Sequence, residues 1–203
     1  MVRKSYVRTR RPVVPFRFEA GAPVTRRADF EIAKPAVFLD RDGTLMEEVG
    51  YCANPLEVRS FSRALGSLSR LHDAGFLNII ITNQSGIGRG LFSLADFEAV
   101  HTEFLLQVGP RNIDATYFCA DHPDQPTLRR KPGTGMIEEA VRDWNIDLSR
   151  SWMIGDKAID IECGKSAGLR TILVETGYGA EQVCQPTKRA RDIATAVDWI
   201  VIE

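Results

Sequence analysis

Ala36-Val37-Phe38-Leu39-Asp40-Arg41-Asp42-Gly43-Thr44 is the stretch that decides how this chain folds. Four apolar residues in a row read as a strand buried on both faces, and the Asp-Gly turn behind them stops it at Asp40. The same punctuation recurs downstream. Leu77 to Ile81 reads as a second buried strand, with others expected at Ala115 to Cys119, Trp152 to Ile154 and Thr171 to Val174. Segments of helical period lie between them. Phe61, Leu65, Leu68 and Leu71 mark one, stopped at Gly75. Ser93 opens another, with Asp96 as its capping partner and Phe97, Val100, Phe104 and Leu105 as its apolar stripe. Further helices are expected from about Gly135 to Trp144, from about Ile159 to Ala167 with a stop near Gly168, and near Ile193 to Val201. Strands alternating with helices imply right-handed crossovers, hence a doubly wound α/β domain whose mainly parallel sheet carries helices on both faces. Such sheets bind ligands at the carboxyl ends of their strands. Those ends are Asp40, Thr82, Ala120 and Asp156.

The rest of the composition agrees with one such domain. At 203 residues, with 44% hydrophobic and 26% charged residues, the chain can bury one sizeable core. Its most apolar stretch, around Phe76 to Ile81, falls far short of the roughly 20 residues a spanning helix needs, so no membrane role is expected. The net charge of -1 hides an asymmetry, since residues 1 to 34 hold nine Lys and Arg against three Asp and Glu. The remainder is correspondingly acidic, which argues against a surface that tracks a nucleic-acid backbone. Residues 1–34 therefore read as an irregular, solvated basic arm, and 35–203 as the folded domain. Thr9-Arg10-Arg11 has no apolar segment behind it, as an export signal would require. Cys52, Cys119, Cys163 and Cys184 include no CxxC pair, which fits reduced thiols and a cytoplasmic location.

Four segments carry chemistry. Asp40-x-Asp42 sets two carboxylates where a buried strand breaks, an arrangement that suits a nucleophile toward phosphorus with a proton-trading neighbour, or simply a capped turn. Gly155-Asp156-Lys157 with Asp160 ends another strand; two acidic strand ends side by side call for a cation, and Mg2+ prefers such hard oxygens. For Asp160 alone, a helix N-terminus decorated with an acid is a sufficient explanation. Thr82 to Gly90 supplies hydroxyl and amide donors followed by glycines that let backbone N–H groups approach an oxyanion, with a spacing that fails the dinucleotide-binding pattern. Arg129-Arg130-Lys131-Pro132-Gly133 adds a cationic cluster that can neutralise developing phosphoryl charge and grip a second anion.

Taken together, Phe38 to Leu45, Ile81 to Gly90, Arg130-Lys131-Pro132 and Met153 to Lys157 resemble, in order, the four signature motifs of the haloacid dehalogenase-like phosphohydrolases. The resemblance runs from about Ala36 to Gly179. It is greatest to the branch of D-glycero-D-manno-heptose 1,7-bisphosphate 7-phosphatases and histidinol-phosphate phosphatases, with Ser85 favouring the heptose side. The resemblance implies Asp40 as nucleophile, Asp42 as general acid/base, and Mg2+ held by the Asp40 side chain, the Asp42 carbonyl and Asp156. It implies Thr82 and Lys131 as stabilisers of the transferring phosphoryl group. Glu48, Gly50, Tyr51, Asn83, Gln84, Ser85, Arg130 and Lys157 fall at substrate-contact positions. The expected activity is a Mg2+-dependent phosphomonoesterase working through an aspartyl-phosphate on a small phosphorylated sugar, the heptose bisphosphate, in a monomer.

One departure stands out. The heptose enzymes often carry a structural zinc loop of three Cys and one His before the Arg-Lys-Pro motif. Cys119-Ala120-Asp121-His122-Pro123 supplies at most half of such a site, so no structural zinc is expected and His122 reads as an ordinary loop residue. Only about 40 residues separate Asp42 from Thr82, too few for an inserted cap domain. Two alternatives share the chemistry: a histidinol-phosphate phosphatase, and a nucleic-acid 3'-phosphatase whose domain the Thr82 to Gly90 and Arg130 to Met136 segments also resemble. Against the latter stand Arg41 and the acidic body. A non-catalytic scaffold would be expected to show a decayed motif, and none has decayed.

Overall fold

The computed structural model describes residues 32–202. The expected basic arm lies outside the described residues except for its last three positions, of which Lys34 bridges Ile146 and exchanges backbone hydrogen bonds with Asn145 and Asp147.

Six strands form one parallel sheet. They are β1 (Ala36–Leu39), β2 (Leu77–Asn83), β3 (Ala115–Cys119), β4 (Trp152–Gly155), β5 (Arg170–Val174) and β6 (Lys188–Ala190), in the order β3-β2-β1-β4-β5-β6. Every pairing is parallel. The order reverses between β1 and β4, so the crevice that doubly wound sheets use for ligands opens above Leu39 and Gly155. Asp40 and Asp156 are the next residues.

The pleat sorts the strands' apolar residues onto two faces. Val37, Leu39, Ile80, Ile154 and Ile172 join one core cluster, covered by α1 (Ala64–Asp73), α3 (Leu94–Val108) and α6 (Ile193–Ile202). Ala36, Phe38, Ile79, Ile81 and Met153 join a second, covered by α4 (Gly135–Asp143) and α5 (Ala158–Ser166). Burial on both faces is why β1 and β2 read as unbroken apolar runs.

Local signals act as expected at several boundaries. Ser93 caps α3 by accepting from Asp96 N, while the Asp96 carboxylate accepts from Ser93 N at 2.8 Å. Gly75 and Gly168 take the positive φ, 89° and 77°, that ends α1 and α5. Three details differ. Phe61 precedes α1, its N–H bound to Leu45 O at 3.0 Å, and Leu65 is 49% exposed while Ala64, Leu68 and Leu71 face the core. Strand β6 and the short helix α2 (Ser85–Gly88) add to the expected elements. No domain is inserted between Asp42 and Thr82, which are joined by a loop, one short 3-10 turn (Pro55–Glu57) and α1.

Candidate active site

Three buried carboxylates meet at the switch point. Asp40 leaves β1, Asp156 leaves β4, and Asp160 sits in the first turn of α5; one oxygen from each lies within 4.8 Å of the others. Lys131 enters from the loop between β3 and α4, its Nζ donating to Asp40 Oδ1 at 2.8 Å and Ile81 O at 2.8 Å and facing Asp160 Oδ1 at 2.7 Å. Burial works against the ammonium, but Asp160 and Asp40 outweigh it and hold the Lys131 pKa above its ordinary value.

The carboxylates respond the opposite way. Burial pushes Asp40 up to about 6, against the pull of Lys131. It pushes Asp156 up to about 7, with Asp40 adding repulsion. Asp156 Oδ2 accepts from Tyr178 N at 2.9 Å, while its buried Oδ1 has no hydrogen-bond partner. An unpartnered carboxylate oxygen beside two more carboxylates fits a divalent cation held by hard oxygens.

The loop after β5 closes on this cluster. Thr176 Oγ1 donates to Gly43 O at 2.6 Å, and Gly177, at φ 57°, lies so close to the Asp156 carboxylate and to Gly43 that any side chain there would collide. Gly43 itself has φ 84° and lies against the same carboxylate.

Asp42, outside the three-carboxylate cluster, is hydrogen-bonded to Arg41 and Gln84. Arg41 donates to both Asp42 oxygens, Nε to Oδ2 at 3.1 Å and Nη2 to Oδ1 at 3.0 Å. Gln84 Nε2 donates to Asp42 Oδ2 and to Thr82 Oγ1, each at 2.9 Å, tying the end of β2 to the turn after β1. Asn83 spends both ends of its amide on the Lys131 backbone, at 3.1 Å each, and thereby places that lysine. Ser85 opens α2, whose Gly86 packs under Phe92.

At the rim, Lys157 Nζ donates to Glu48 Oε2 at 3.0 Å and lies 4.6 Å from the centre of the Tyr178 ring. Glu48 Oε1 accepts from Gly50 N at 2.7 Å, shaping the loop that carries Tyr51, itself 49% exposed. Glu47, Glu48, Phe61, Gly177 and Tyr178 line an open cleft of about 370 Å³ here. Arg130 is half-buried, with a buried Nη1 that has no hydrogen-bond partner. In the loop after β3, Asp121 Oδ2 accepts from Thr127 N at 2.7 Å and His122 Nδ1 accepts from Asp124 N at 3.2 Å, and at the end of β3 burial raises the Cys119 thiol to about 11.

Sequence reasoning missed three participants. Asp160 was explained by the helix terminus alone; it does accept from Lys157 N at 3.0 Å, but its other oxygen turns inward to Lys131. Gly155 is its trace in the sequence, because a side chain there would collide with Asp160. The Thr176-Gly177-Tyr178 turn and the Arg41 clamp are the other two. A carboxylate at the end of β1, a second on the adjoining turn, a buried ammonium and an acidic cluster at the switch point form the arrangement expected of a haloacid dehalogenase-like phosphohydrolase.

Comparison with known proteins resolves the class further. Residues 128–199 match the HAD-hydrolase-like family model. The chain is 40% identical over 187 residues to the D-glycero-D-manno-heptose-1,7-bisphosphate 7-phosphatase of Thermosynechococcus vestitus, covering 82% of this chain and 95% of the relative. It is 37% identical over 186 residues to the enzyme of that name from Chlorobaculum tepidum, covering 82% and 94%. The crystal structure of the D,D-heptose 1,7-bisphosphate phosphatase from B. bronchiseptica, complexed with magnesium and phosphate, superposes with a TM-score of 0.77 at 28% identity, over 83% of this chain and 98% of that one. The chain belongs to the D,D-heptose-bisphosphate phosphatase family of haloacid dehalogenase-like hydrolases, and it is a phosphatase.

Proposed function

We propose that this phosphatase removes the 7-phosphate of D-glycero-D-manno-heptose 1,7-bisphosphate. The observation that carries the reading is the Asp40–Lys131–Asp160 ion-pair array beside Asp156, set in a chain 40% identical to a heptose-bisphosphate phosphatase over nearly its whole length.

Asp40 attacks the phosphorus in line, and Asp42 protonates the alkoxide as the sugar leaves. Asp42 then takes a proton from the water that hydrolyses the aspartyl-phosphate. Lys131 and Thr82 face the transferring phosphoryl oxygens, where preorganised donors act on charge as it develops. Asp40, the Asp42 carbonyl and Asp156 are the proposed holders of Mg2+, with Asp160 supporting them through Lys131 and Lys157. Mg2+ neutralises the carboxylates and the phosphoryl oxygens when bound. No structural zinc belongs to this reading; Asp121 hydrogen-bonding to Thr127 holds the loop where the related enzymes often use metal.

Arg130, with its unpartnered buried Nη1, suits a second anionic group on the substrate, as a bisphosphate would offer. Lys157 and Glu48 suit sugar hydroxyls or phosphate at the rim, and Gly50, Tyr51, Asn83, Gln84 and Ser85 complete the proposed surround. The proposed enzyme acts as a monomer. The four free cysteines fit the proposed cytoplasmic location, and no described helix is long and apolar enough to cross a membrane. Residues 1–34 remain assigned to a basic arm outside this chemistry.

A phosphate-release screen over heptose bisphosphate, histidinol phosphate, simple sugar phosphates and a 3'-phosphorylated oligonucleotide, with Mg2+ present, tests the substrate. The highest kcat/KM is expected on the heptose bisphosphate. A preference for histidinol phosphate or for the oligonucleotide would overturn the assignment.

A further inference from the structure

Arg41 is among the largest fully buried side chains of the molecule, 1% exposed, and it lies between the two carboxylates of the Asp-x-Asp pair in sequence. Its guanidinium carbon sits 5.2 Å from the centre of the Phe97 ring, on which the His101 ring stacks with centres 5.7 Å apart. Nη1 is buried without a hydrogen-bond partner. A buried ion pair that leaves both N–H groups of one guanidinium nitrogen unpaired is a poor way to gain stability, since desolvation offsets most of the attraction. What the arrangement does supply is geometry.

A carboxylate offers about four acceptor positions, two on each oxygen. On Asp42, Arg41 Nε and Gln84 Nε2 both donate to Oδ2, at 3.1 and 2.9 Å, and Arg41 Nη2 donates to Oδ1 at 3.0 Å. Both positions on Oδ2 are therefore taken, and one position on Oδ1 is left. The planar fork of Arg41, wedged against Phe97, also prevents the carboxylate from turning over.

We propose that Arg41 is a positioning residue for the phosphatase reaction: it fixes the Asp42 carboxylate so that Oδ1 is the oxygen that gives and takes the proton. This rests on Asp42 being the general acid/base. In the first half-reaction the O–H bond at Oδ1 breaks as the P–O bond to the sugar breaks, and the proton passes to the leaving alkoxide. In the second, a proton passes from water to Oδ1 as the water oxygen bonds to phosphorus and the acyl-phosphate P–O bond breaks. Oδ1 keeps its contact with Nη2 through its other lone pair in both states, and Arg41 exchanges no proton.

The test uses leaving groups. A sugar phosphate expels an alkoxide that needs a proton, whereas p-nitrophenyl phosphate expels a stable phenolate that does not. In the Mg2+-loaded full chain, Arg41→Lys keeps the charge but cannot fork. Its kcat/KM on the sugar phosphate is expected to fall about 100-fold, the scale of a misplaced catalytic group, with a loss at least ten times smaller on the aryl ester. Equal losses on both substrates would overturn the proposal and leave Arg41 a structural residue. Arg41→Met should repeat the pattern. Should both variants fail to fold in melting experiments, Gln84→Met, which keeps the ion pair, carries the test with the same selectivity at smaller size; equal losses there again refute it. Asp42→Asn in the same assays separates the two levels. If it too lacks the leaving-group dependence, the acid/base reading of Asp42 fails; if it alone shows it, only the role of Arg41 fails.

Discussion

Replacing Lys131 by Met tests the charge balance on which the site depends. The substitution roughly preserves volume but removes the ammonium that contacts Asp40 Oδ1 at 2.8 Å, Asp160 Oδ1 at 2.7 Å and Ile81 O at 2.8 Å. Asp40 and Asp160 then lose the cation they contact, in a cluster that also holds Asp156, and a buried carbonyl loses its donor. Deleting one partner of a buried ion pair costs about 3–5 kcal/mol, because the other is left charged in a poorly solvating interior. In a domain of this size each kcal/mol moves the melting midpoint by about 2–4 °C, so a drop of roughly 6–20 °C is expected in chelator near pH 8. Near pH 5 the loss should shrink, since Asp40 and Asp156, whose pKa values are already raised to about 6 and about 7, can take up protons instead. Added Mg2+ should raise the midpoint of the variant more than that of the unmodified protein. Thermal melts of both proteins at the two pH values, with and without Mg2+, give all four numbers. A loss below about 1 kcal/mol near pH 8, or one that does not depend on pH, would refute the assignment of Lys131 as the counter-charge of this cluster.

The unmodified protein in chelator should lose stability as pH rises from about 4 through about 7: Asp40 and Asp156 have folded pKa values above the 3.8 of the unfolded chain, so their contribution is present at low pH and lost on ionisation. Melts with and without Mg2+ check this, the Mg2+-dependent gain being largest at the alkaline end. Asp42→Asn should lower turnover of the sugar phosphate by roughly 10²–10⁴-fold, as read by phosphate release at saturating substrate; wild-type turnover would remove Asp42 from its role. Gly177→Ala, at φ 57° and against the Asp156 carboxylate, should displace that ligand and raise the Mg2+ concentration for half-maximal activity by about 10–100-fold, with an unchanged Mg2+ titration counting against the contact.

The sheet was legible because a parallel sheet covered on both faces forces its strands to be nearly all apolar, and Ala36 to Leu39 and Leu77 to Ile81 obey that rule. Strand β6 escapes it. Lys188-Arg189-Ala190 is three residues long and pairs on one side only, so its identity comes from the register with Ile172, Leu173 and Val174 and not from its own composition. Asp40, Asp42, Thr82 and Asp156 were legible as a constellation, since each is a chemically distinctive residue at or beside a strand end, and Lys131 joined them from a cationic cluster just before a helix. Asp160 was not, because an acid in the first turn of a helix has a local explanation that hides a distant one. Only the fold brings Lys131 to its second oxygen.

The acidic character of the body, inferred from composition, acquires a specific account at the site. Asp42 is matched by Arg41 and Glu48 by Lys157, each pair within 3.1 Å. Asp40 and Asp160 pair with Lys131, and Asp156 feels the Lys157 that Glu48 holds, so four carboxylates face two ammonium groups among the described residues. Without a cation that excess is unfavourable, and the raised pKa values of Asp40 and Asp156 express it. One divalent ion removes it. A phosphate dianion would then enter a pocket closer to neutral, and the attraction proposed for it is that of Arg130, whose buried Nη1 has no hydrogen-bond partner. The hard carboxylate oxygens of Asp40, Asp156 and Asp160 suit a divalent ion such as Mg2+.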